Sequence, residues 1–233
     1  MPITVSARSY GWGFRKNNDH LPPDIGILAK EIENTSTYYV GNTLKKEVYL
    51  TFDSGFDNGV LPQILDTLRD KKVRATFFIL GDMVKRFPGL TKRMVDEGHL
   101  VGSHTYSHRN ITKMSEEELK ADLCRLEEEY FKLTNKPLDP FFRPPSGEFN
   151  RESLLTVQKL GYKTIFWSLA YCDWNTGDKR GPEFTHEYVM KNIHPGAVIL
   201  LHTVSKDNAD ALSKIIDSLK DQGYEFKTVE HLA

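Results

Sequence analysis

A carboxylate and two imidazoles follow two short apolar runs in this sequence. The run VYLTF leads directly into Asp53, and HLVGS leads into His104 and then His108. Zinc and other divalent cations bind imidazole nitrogen, and a water molecule on such a cation loses its proton more easily. The trio predicts a site that activates water, although the position beside Asp53, where a third metal ligand is expected, holds the neutral Ser54.

These side chains also have ordinary interpretations. Asp53 could be a metal ligand, a general base, or a carboxylate that caps the following helix. His104 and His108 reach one cation if their segment turns helically, whereas in a plain polar loop they are merely exposed. Arg143 favours catalysis, because a guanidinium keeps a neighbouring carboxylate ionised and oriented. The two prolines after Arg143 stiffen its loop, although a rigid turn alone would also explain them.

His202 and Asp173 form a second candidate pair. His202 ends the apolar run AVILL, and a lone histidine in such a place is more often a satisfied core residue than a catalyst. A carboxylate bonded to one ring nitrogen keeps an imidazole protonated, and a protonated imidazole can donate to a leaving group. Asp173 is the carboxylate that the sequence offers for this pairing.

Four aromatic side chains near these positions are candidates for flat walls that contact a sugar ring. Taken singly, each is more commonly a core-packing residue. They are Phe149, Trp167, Tyr171 and Trp174.

Several parallel strands are needed to bring these side chains together. From residue 45 onward, β-branched and aromatic runs alternate with helical patterns, whose ends are marked by a Ser115/Glu118 capping box and by Gly161 and Gly223. With right-handed crossovers this alternation predicts an α/β fold, best described as a seven-stranded barrel whose strand ends meet at one mouth. The predicted strands are 48–52, 75–80, 99–103, 141–143, 163–168, 197–201 and 224–228.

Composition excludes several classes of partner. The 233 residues carry 31 basic and 32 acidic side chains, so no overall field favours nucleic acid or an anionic membrane. The apolar runs are too short for a transmembrane segment, and the N terminus lacks a signal-peptide pattern. We expect an N-terminal extension at 1–44 packed on one main domain at 45–233. The sequence carries no signal for an oligomeric state.

Five short motifs follow one another along the chain: TFDSG at 51–55, HTYSH at 104–108, RPPSG at 143–147, CDW at 172–174 and LLH at 200–202. In this order they resemble the motifs of the polysaccharide deacetylases, the NodB-type enzymes of carbohydrate esterase family 4. Two longer stretches, FWSLAYCDW and HPGA followed by LHTVS, resemble the subgroup that deacetylates N-acetylmuramic acid on the way to muramic δ-lactam in spore cortex.

The resemblance implies a role for each matched residue. Asp53 would be the base, held in place by Arg143, and His202, tuned by Asp173, would protonate the departing amine. The histidine motif would bind a divalent cation, with zinc expected, and a backbone N–H near the arginine loop would help to stabilise the oxyanion. The resemblance also implies a distorted (β/α)7 barrel, a peptidoglycan glycan strand as substrate, and extracytoplasmic action after removal of a leader.

The chain departs from the family pattern at Ser54, where Asp is usual, and at Phe56, where Pro is usual. A neutral hydroxyl is a weak metal ligand or none, so we expect a weakly held cation. We hypothesise that the lost carboxylate favours an anionic substrate such as the lactyl group of muramic acid. Two other functions stay open: a non-catalytic glycan-binding barrel that has lost its metal, and an O-acetyl esterase using the same site.

Overall fold

The computed structural model describes residues 8–17 and 19–232. The first seven residues of the predicted N-terminal extension lie outside the described residues. The strands are β1 (Tyr10–Gly11), β2 (Thr37–Tyr38), β3 (Glu47–Ser54), β4 (Thr76–Ile79), β5 (Leu100–Ser103), β6 (Phe141–Phe142), β7 (Glu148–Phe149), β8 (Lys163–Ile165), β9 (Ala197–His202) and β10 (Glu225–Lys227). The helices are α1 (Leu28–Ile32), α2 (Leu61–Lys71), α3 (Gly81–Arg86), α4 (Pro88–Asp96), α5 (Glu116–Thr134), α6 (Arg151–Lys159), α7 (Pro182–Asn192) and α8 (Lys206–Asp221).

Parallel strands form a distorted barrel. β3 pairs with β4, β9 and β10, and β4, β5, β6 and β8 follow one another in the sheet. A parallel bridge between Leu169 and Ile199 joins the segment after β8 to β9 and closes the barrel. The α/β barrel predicted from the sequence is confirmed.

Burial explains why the strands are nearly continuous apolar runs. Every residue of β3 after Glu47, and every residue of β9 before His202, is buried. Parallel strands covered by helices are buried on both faces, which favours such runs over alternating patterns. In the described part of the chain, no helix combines the length and apolar character needed to cross a membrane.

The helix ends agree with the sequence, whereas some strand ends do not. Ser115 and Glu118 form a capping box at the start of α5. Gly161 and Gly223 follow α6 and α8 with φ of 91° and 82°, a left-handed conformation that favours glycine. The strand predicted at 163–168 ends at Ile165, after which the chain runs irregularly along β9.

The N-terminal segment packs on the barrel and also joins its sheet. β1 pairs antiparallel with β7, and β2 pairs in parallel with β8. Trp12 stacks on Phe166 with ring centroids 4.1 Å apart, and Ile25 and Leu28 belong to the same buried cluster. The segment therefore lies beside the turn that links β6 to β7.

Candidate functional site

Asp53 and His202 are neighbours on adjacent strands. Asp53 lies inside β3, near its carboxyl end, rather than after the strand as predicted. It is the register partner of His202 on β9, and the Thr203 N–H donates to the Asp53 carbonyl at 3.2 Å. The carboxylate that caps α2 is Asp57, which accepts from two backbone N–H groups at the start of that helix. Asp53 therefore does not cap α2, and its carboxylate is available to the site.

Arg143 holds the Asp53 carboxylate from inside the barrel. Its guanidinium is fully buried and donates from Nη1 to Asp53 Oδ1 at 2.8 Å. It also donates to Thr51 Oγ1 and to the Ile165 carbonyl, each at 2.9 Å, and lies 4.2 Å from the ring centroid of Phe78. Burial alone would raise the pKa of Asp53, but Arg143, helped by neighbouring imidazoles, holds that pKa below its usual value.

His104 presents an unprotonated nitrogen to the site. Its Nδ1 lies 2.8 Å from the Arg143 carbonyl, and because a carbonyl only accepts, Nδ1 carries the hydrogen. Nε2, with its lone pair, lies 3.6 Å from Asp53 Oδ2. Burial, partly offset by Asp53, lowers the pKa of His104 to about 4. The imidazole is therefore neutral at pH 7, as a metal ligand must be.

The histidine motif is an irregular turn, and not the helical turn that its spacing suggested. Thr105 and His108 have φ of 69° and 57°, and Thr105 Oγ1 accepts from the His108 N–H at 2.9 Å. The rings of His104 and His108 nevertheless lie with centroids 5.1 Å apart. Left-handed backbone at non-glycine residues is costly and clusters at functional sites, and here it accompanies the pairing of the two imidazoles.

The Ser54 hydroxyl bonds to a neighbouring hydroxyl. The side chain is fully buried, and its Oγ accepts from Thr203 Oγ1 at 3.1 Å. Within residues 8–17 and 19–232, no group of three or more His, Cys, Asp or Glu side chains has an arrangement that could hold a metal ion. A cation at this site would thus be held by two imidazoles and solvent, without a further carboxylate ligand.

Asp173 organises His202 through both carboxylate oxygens. Asp173 Oδ1 accepts from His202 Nδ1 at 2.7 Å, and Oδ2 accepts from the His202 N–H at 2.7 Å and from Asn208 Nδ2 at 2.5 Å. Burial alone would lower the pKa of His202, but the hydrogen bond and charge of Asp173, together with the charge of Asp53, raise it. The proton on Nε2 is therefore retained to higher pH and is available to a ligand.

The turn after Arg143 is rigid and tightly packed. Ser146 and Gly147 have φ of 56° and 65°, and a Cβ on Gly147 would lie 2.9 Å from the Trp167 side chain and 3.0 Å from that of Trp12. The two prolines lack an N–H, and the Gly147 N–H donates to the Pro144 carbonyl at 3.0 Å. The Ser146 N–H is thus the remaining amide of this turn beside the site.

These groups share one cleft of about 800 Å³. Trp174 projects into it with 61% of its surface exposed. The predicted site residues that line the cleft are Asp53, His104, His108, Trp167, Tyr171, Trp174 and His202.

Phe149, expected among the sugar-facing aromatics, does not reach the cleft. It is fully buried, and its ring packs against Tyr10, Trp12 and Phe166. Because β7 pairs with β1, the N-terminal segment covers this ring, which makes Phe149 a packing residue.

Three supporting residues were not anticipated from the sequence. Thr51 bonds Arg143, Thr203 bonds Ser54, and Asn208 bonds Asp173. Asn208 stands in the first turn of α8, where a polar residue is expected in any helix. Its sequence position therefore carried no sign of this role.

Comparison with known proteins identifies the relatives of the chain. The family model described as polysaccharide deacetylase matches residues 40–165. The chain is 43% identical over 222 residues to the peptidoglycan-N-acetylmuramic acid deacetylase PdaA of Bacillus subtilis, covering 95% of this chain and 84% of that protein. It is 38% identical to a peptidoglycan-N-acetylglucosamine deacetylase of Bacillus cereus, covering 88% and 97%.

A solved structure agrees with these sequence matches. The structure of Bacillus subtilis PdaA, described as a family 4 carbohydrate esterase, superposes with a TM-score of 0.93 at 43% identity, over 97% of each chain. The likeness thus extends over the barrel and the N-terminal segment together.

Proposed function

The chain belongs to the polysaccharide deacetylase family, and from this premise we propose that it hydrolyses the acetamide of N-acetylmuramic acid in peptidoglycan. Support for the substrate comes from the similarity to a relative named for that activity. The observation that carries the reaction is the presence, in one cleft, of a carboxylate held ionised by Arg143 and an imidazole whose proton is retained by Asp173. Amide hydrolysis uses a base for the attacking water and an acid for the departing amine.

Asp53 is the proposed base. Its Oδ1 is occupied by Arg143, so Oδ2 is the oxygen left to accept a proton from the attacking water. The lowered pKa of Asp53 keeps the carboxylate ionised at neutral pH. The water oxygen then bonds to the carbonyl carbon of the acetamide.

His202 is the proposed acid. Its Nδ1 is occupied by Asp173, which leaves Nε2 as the nitrogen that faces the cleft. When the carbon–nitrogen bond breaks, Nε2 donates its proton to the amine, and acetate and a free amino sugar are the products. Because the pKa of His202 is raised, that proton is held to higher pH than on an unperturbed imidazole.

A divalent cation, with zinc as the expected ion, would be held by His104 and His108 and would polarise the acetamide carbonyl. Ser54 is proposed not to be a ligand, since its buried hydroxyl is directed to Thr203. Two imidazoles bind a cation less firmly than three protein ligands. The Ser146 N–H is the proposed additional donor to the oxyanion.

The product suggests the setting. Without a stem peptide, the new amine of muramic acid shares its sugar with a lactyl carboxylate, and condensation of the two gives the muramic δ-lactam. We therefore propose spore cortex peptidoglycan as the substrate. Because peptidoglycan lies outside the cytoplasmic membrane, the enzyme would act there.

Acetate release tests the proposal. Purified peptidoglycan, with and without stem peptides, is incubated with enzyme treated with a chelator and then resupplied with zinc. We expect acetate from muramic residues, restored by zinc, and lost in Asp53→Asn and His202→Ala. An O-acetylated glycan serves as a control, because an alkoxide leaving group needs His202 less than an amine does. No acetate from either peptidoglycan under any of these conditions would favour the glycan-binding barrel instead.

A further inference from the structure

Two cationic side chains outside the five motifs line the catalytic cleft. They are Lys16, on the N-terminal segment, and Arg180, on the loop before α7. In the part of the chain that the structure describes, Asp53 is the one acidic residue that lines this cleft, and Arg143 neutralises it from behind. The cleft is therefore positively charged although the whole chain has a net charge of −1.

Lys16 is placed by packing and is not held by an ion pair. Its Nζ lies 4.3 Å from the ring centroid of Tyr188, and the Tyr188 hydroxyl donates to the Ala170 carbonyl at 3.0 Å. Among residues 8–17 and 19–232, no carboxylate lies within ion-pair distance of Lys16. Its charge is thus available to a ligand in the cleft.

Arg180 and Lys16 contact the two rings of one aromatic pair, Phe184 and Tyr188. The Arg180 guanidinium lies 5.0 Å from the Phe184 ring centroid, and Phe184 and Tyr188 are 5.9 Å apart. The backbone N–H groups of Arg180 and Gly181 donate to Asp207 Oδ2 at 3.0 and 2.9 Å, which fixes the loop. Asp178 pairs with one edge of the guanidinium, so part of the Arg180 charge is already used.

We propose that Lys16 and Arg180 bind a carboxylate on the C3 substituent of the muramic residue and thereby select it over N-acetylglucosamine. This inference rests on the proposed function. Muramic acid and N-acetylglucosamine share the acetamide and differ in the lactyl ether, so a neutral cleft could not use charge to distinguish them. Lys16, which has no competing carboxylate, contributes more than Arg180. The carboxylate is either that of the lactyl group itself or one on the attached stem peptide.

Four variants measure the contribution of these charges: Lys16→Gln, Arg180→Gln, the double variant, and a matched control pair, Arg15→Gln with Lys179→Gln. The control residues are exposed neighbours in sequence that do not line the cleft. For each variant, kcat/KM for acetate release is measured on glycan without stem peptides, on glycan with stem peptides, and on neutral chitooligosaccharide of equal length.

The selectivity for anionic over neutral glycan decides the inference. We expect this ratio of kcat/KM values to fall about fivefold in Lys16→Gln, about twofold in Arg180→Gln and about tenfold in the double variant, mainly through KM. The wild-type ratio should also fall as salt rises, and the control pair should keep it. If kcat/KM falls only on glycan without stem peptides, the carboxylate is that of the lactyl group. If kcat/KM falls only on glycan with stem peptides, the carboxylate belongs to the stem peptide.

Two outcomes overturn the inference, and they are distinguishable. An unchanged ratio in the double variant, with normal acetate release from muramic glycan, removes the role of Lys16 and Arg180 and leaves the proposed function intact. A wild-type enzyme that releases acetate from chitooligosaccharide but from neither muramic substrate refutes the proposed substrate, and this inference with it.

Discussion

Arg143→Met removes the buried guanidinium that pairs with Asp53 and should cost far more stability than the loss of a surface charge. The variant leaves the Asp53 carboxylate in the barrel without its 2.8 Å partner, and it leaves Thr51 Oγ1 and the Ile165 carbonyl without donors. An uncompensated buried charge costs about 3–5 kcal/mol. For a chain of this size, that corresponds to a fall in Tm of roughly 10 °C.

A double-mutant cycle separates the pair from its surroundings. Asp53→Asn strands the Arg143 charge in the same way, whereas the double variant strands neither charge. We therefore expect the double variant to be more stable than the sum of the two single losses predicts, by about 3 kcal/mol. Arg86→Met is the matched control, because Arg86 pairs with Asp82 at the surface. Arg86→Met should lower the free energy of unfolding by at most about 0.5 kcal/mol.

The pH dependence of the cycle has a definite sign. In the wild type the pKa of Asp53 is lowered, so its contribution to stability is complete above the unfolded pKa of about 3.9 and is lost as pH falls through the folded value. In Arg143→Met, burial is no longer opposed by the guanidinium, and the pKa of Asp53 should rise. The loss of unfolding free energy in Arg143→Met, relative to the wild type, should then shrink as pH falls from 7 toward about 4, because Asp53 becomes protonated in the folded state of the variant.

Urea unfolding followed by tryptophan fluorescence gives these free energies of unfolding, provided that their linear dependence on urea concentration has the same slope in all variants. A cost below about 1 kcal/mol for Arg143→Met, or single costs that simply add in the double variant, would refute the view that the pair is a coupled buried unit.

Three further predictions concern individual side chains. Asp173→Asn removes the carboxylate that raises the pKa of His202, so the alkaline limb of the kcat–pH profile should move to lower pH and kcat should fall about 10²- to 10⁴-fold; an unmoved limb would argue against His202 as the acid. Trp174→Ala should raise KM for glycan with little change in urea stability, whereas Phe149→Ala should cost about 3–5 kcal/mol of unfolding free energy; a rise in KM for Phe149→Ala at full stability would contradict the packing role. Ser54→Asp should increase zinc affinity in equilibrium dialysis and lower the preference for muramic glycan over chitooligosaccharide; equal affinity for zinc would show that this position does not control the metal.

The barrel could be predicted from the sequence because helices and the barrel interior bury both faces of its strands. Buried parallel strands must be apolar along their whole length, and the runs that lead to Asp53, His104 and His202 have this character. The ends of such runs meet at one mouth, which explains why residues far apart in sequence were expected together. Asp53 was placed outside its strand because a charged residue ordinarily ends an apolar run, whereas here Arg143 stabilises it within the strand.

Contacts that depend on irregular segments could not be predicted in this way. Phe149 looked like a sugar-facing ring, because nothing in the local pattern shows that β1 returns to cover it. Lys16 and Arg180 stand in loops, where charged residues are the default and have no periodic neighbours. Their position in the cleft follows from the aromatic group between them, and such tertiary packing has no local signature.

The N-terminal segment and the barrel contribute different side chains to one cleft. The proposed base and the proposed acid stand on β3 and β9 at the centre of the barrel. Lys16 belongs to the N-terminal segment, which precedes the barrel and contacts it through β1, β2 and Trp12. Under the role proposed for Lys16, substitutions in the N-terminal segment would alter which sugar is accepted while the proposed base and acid stay in place. A chain trimmed to begin at residue 40 would keep the five motifs yet expose Phe149 and Phe166, so the unit that must fold together is longer than the part that carries the motifs.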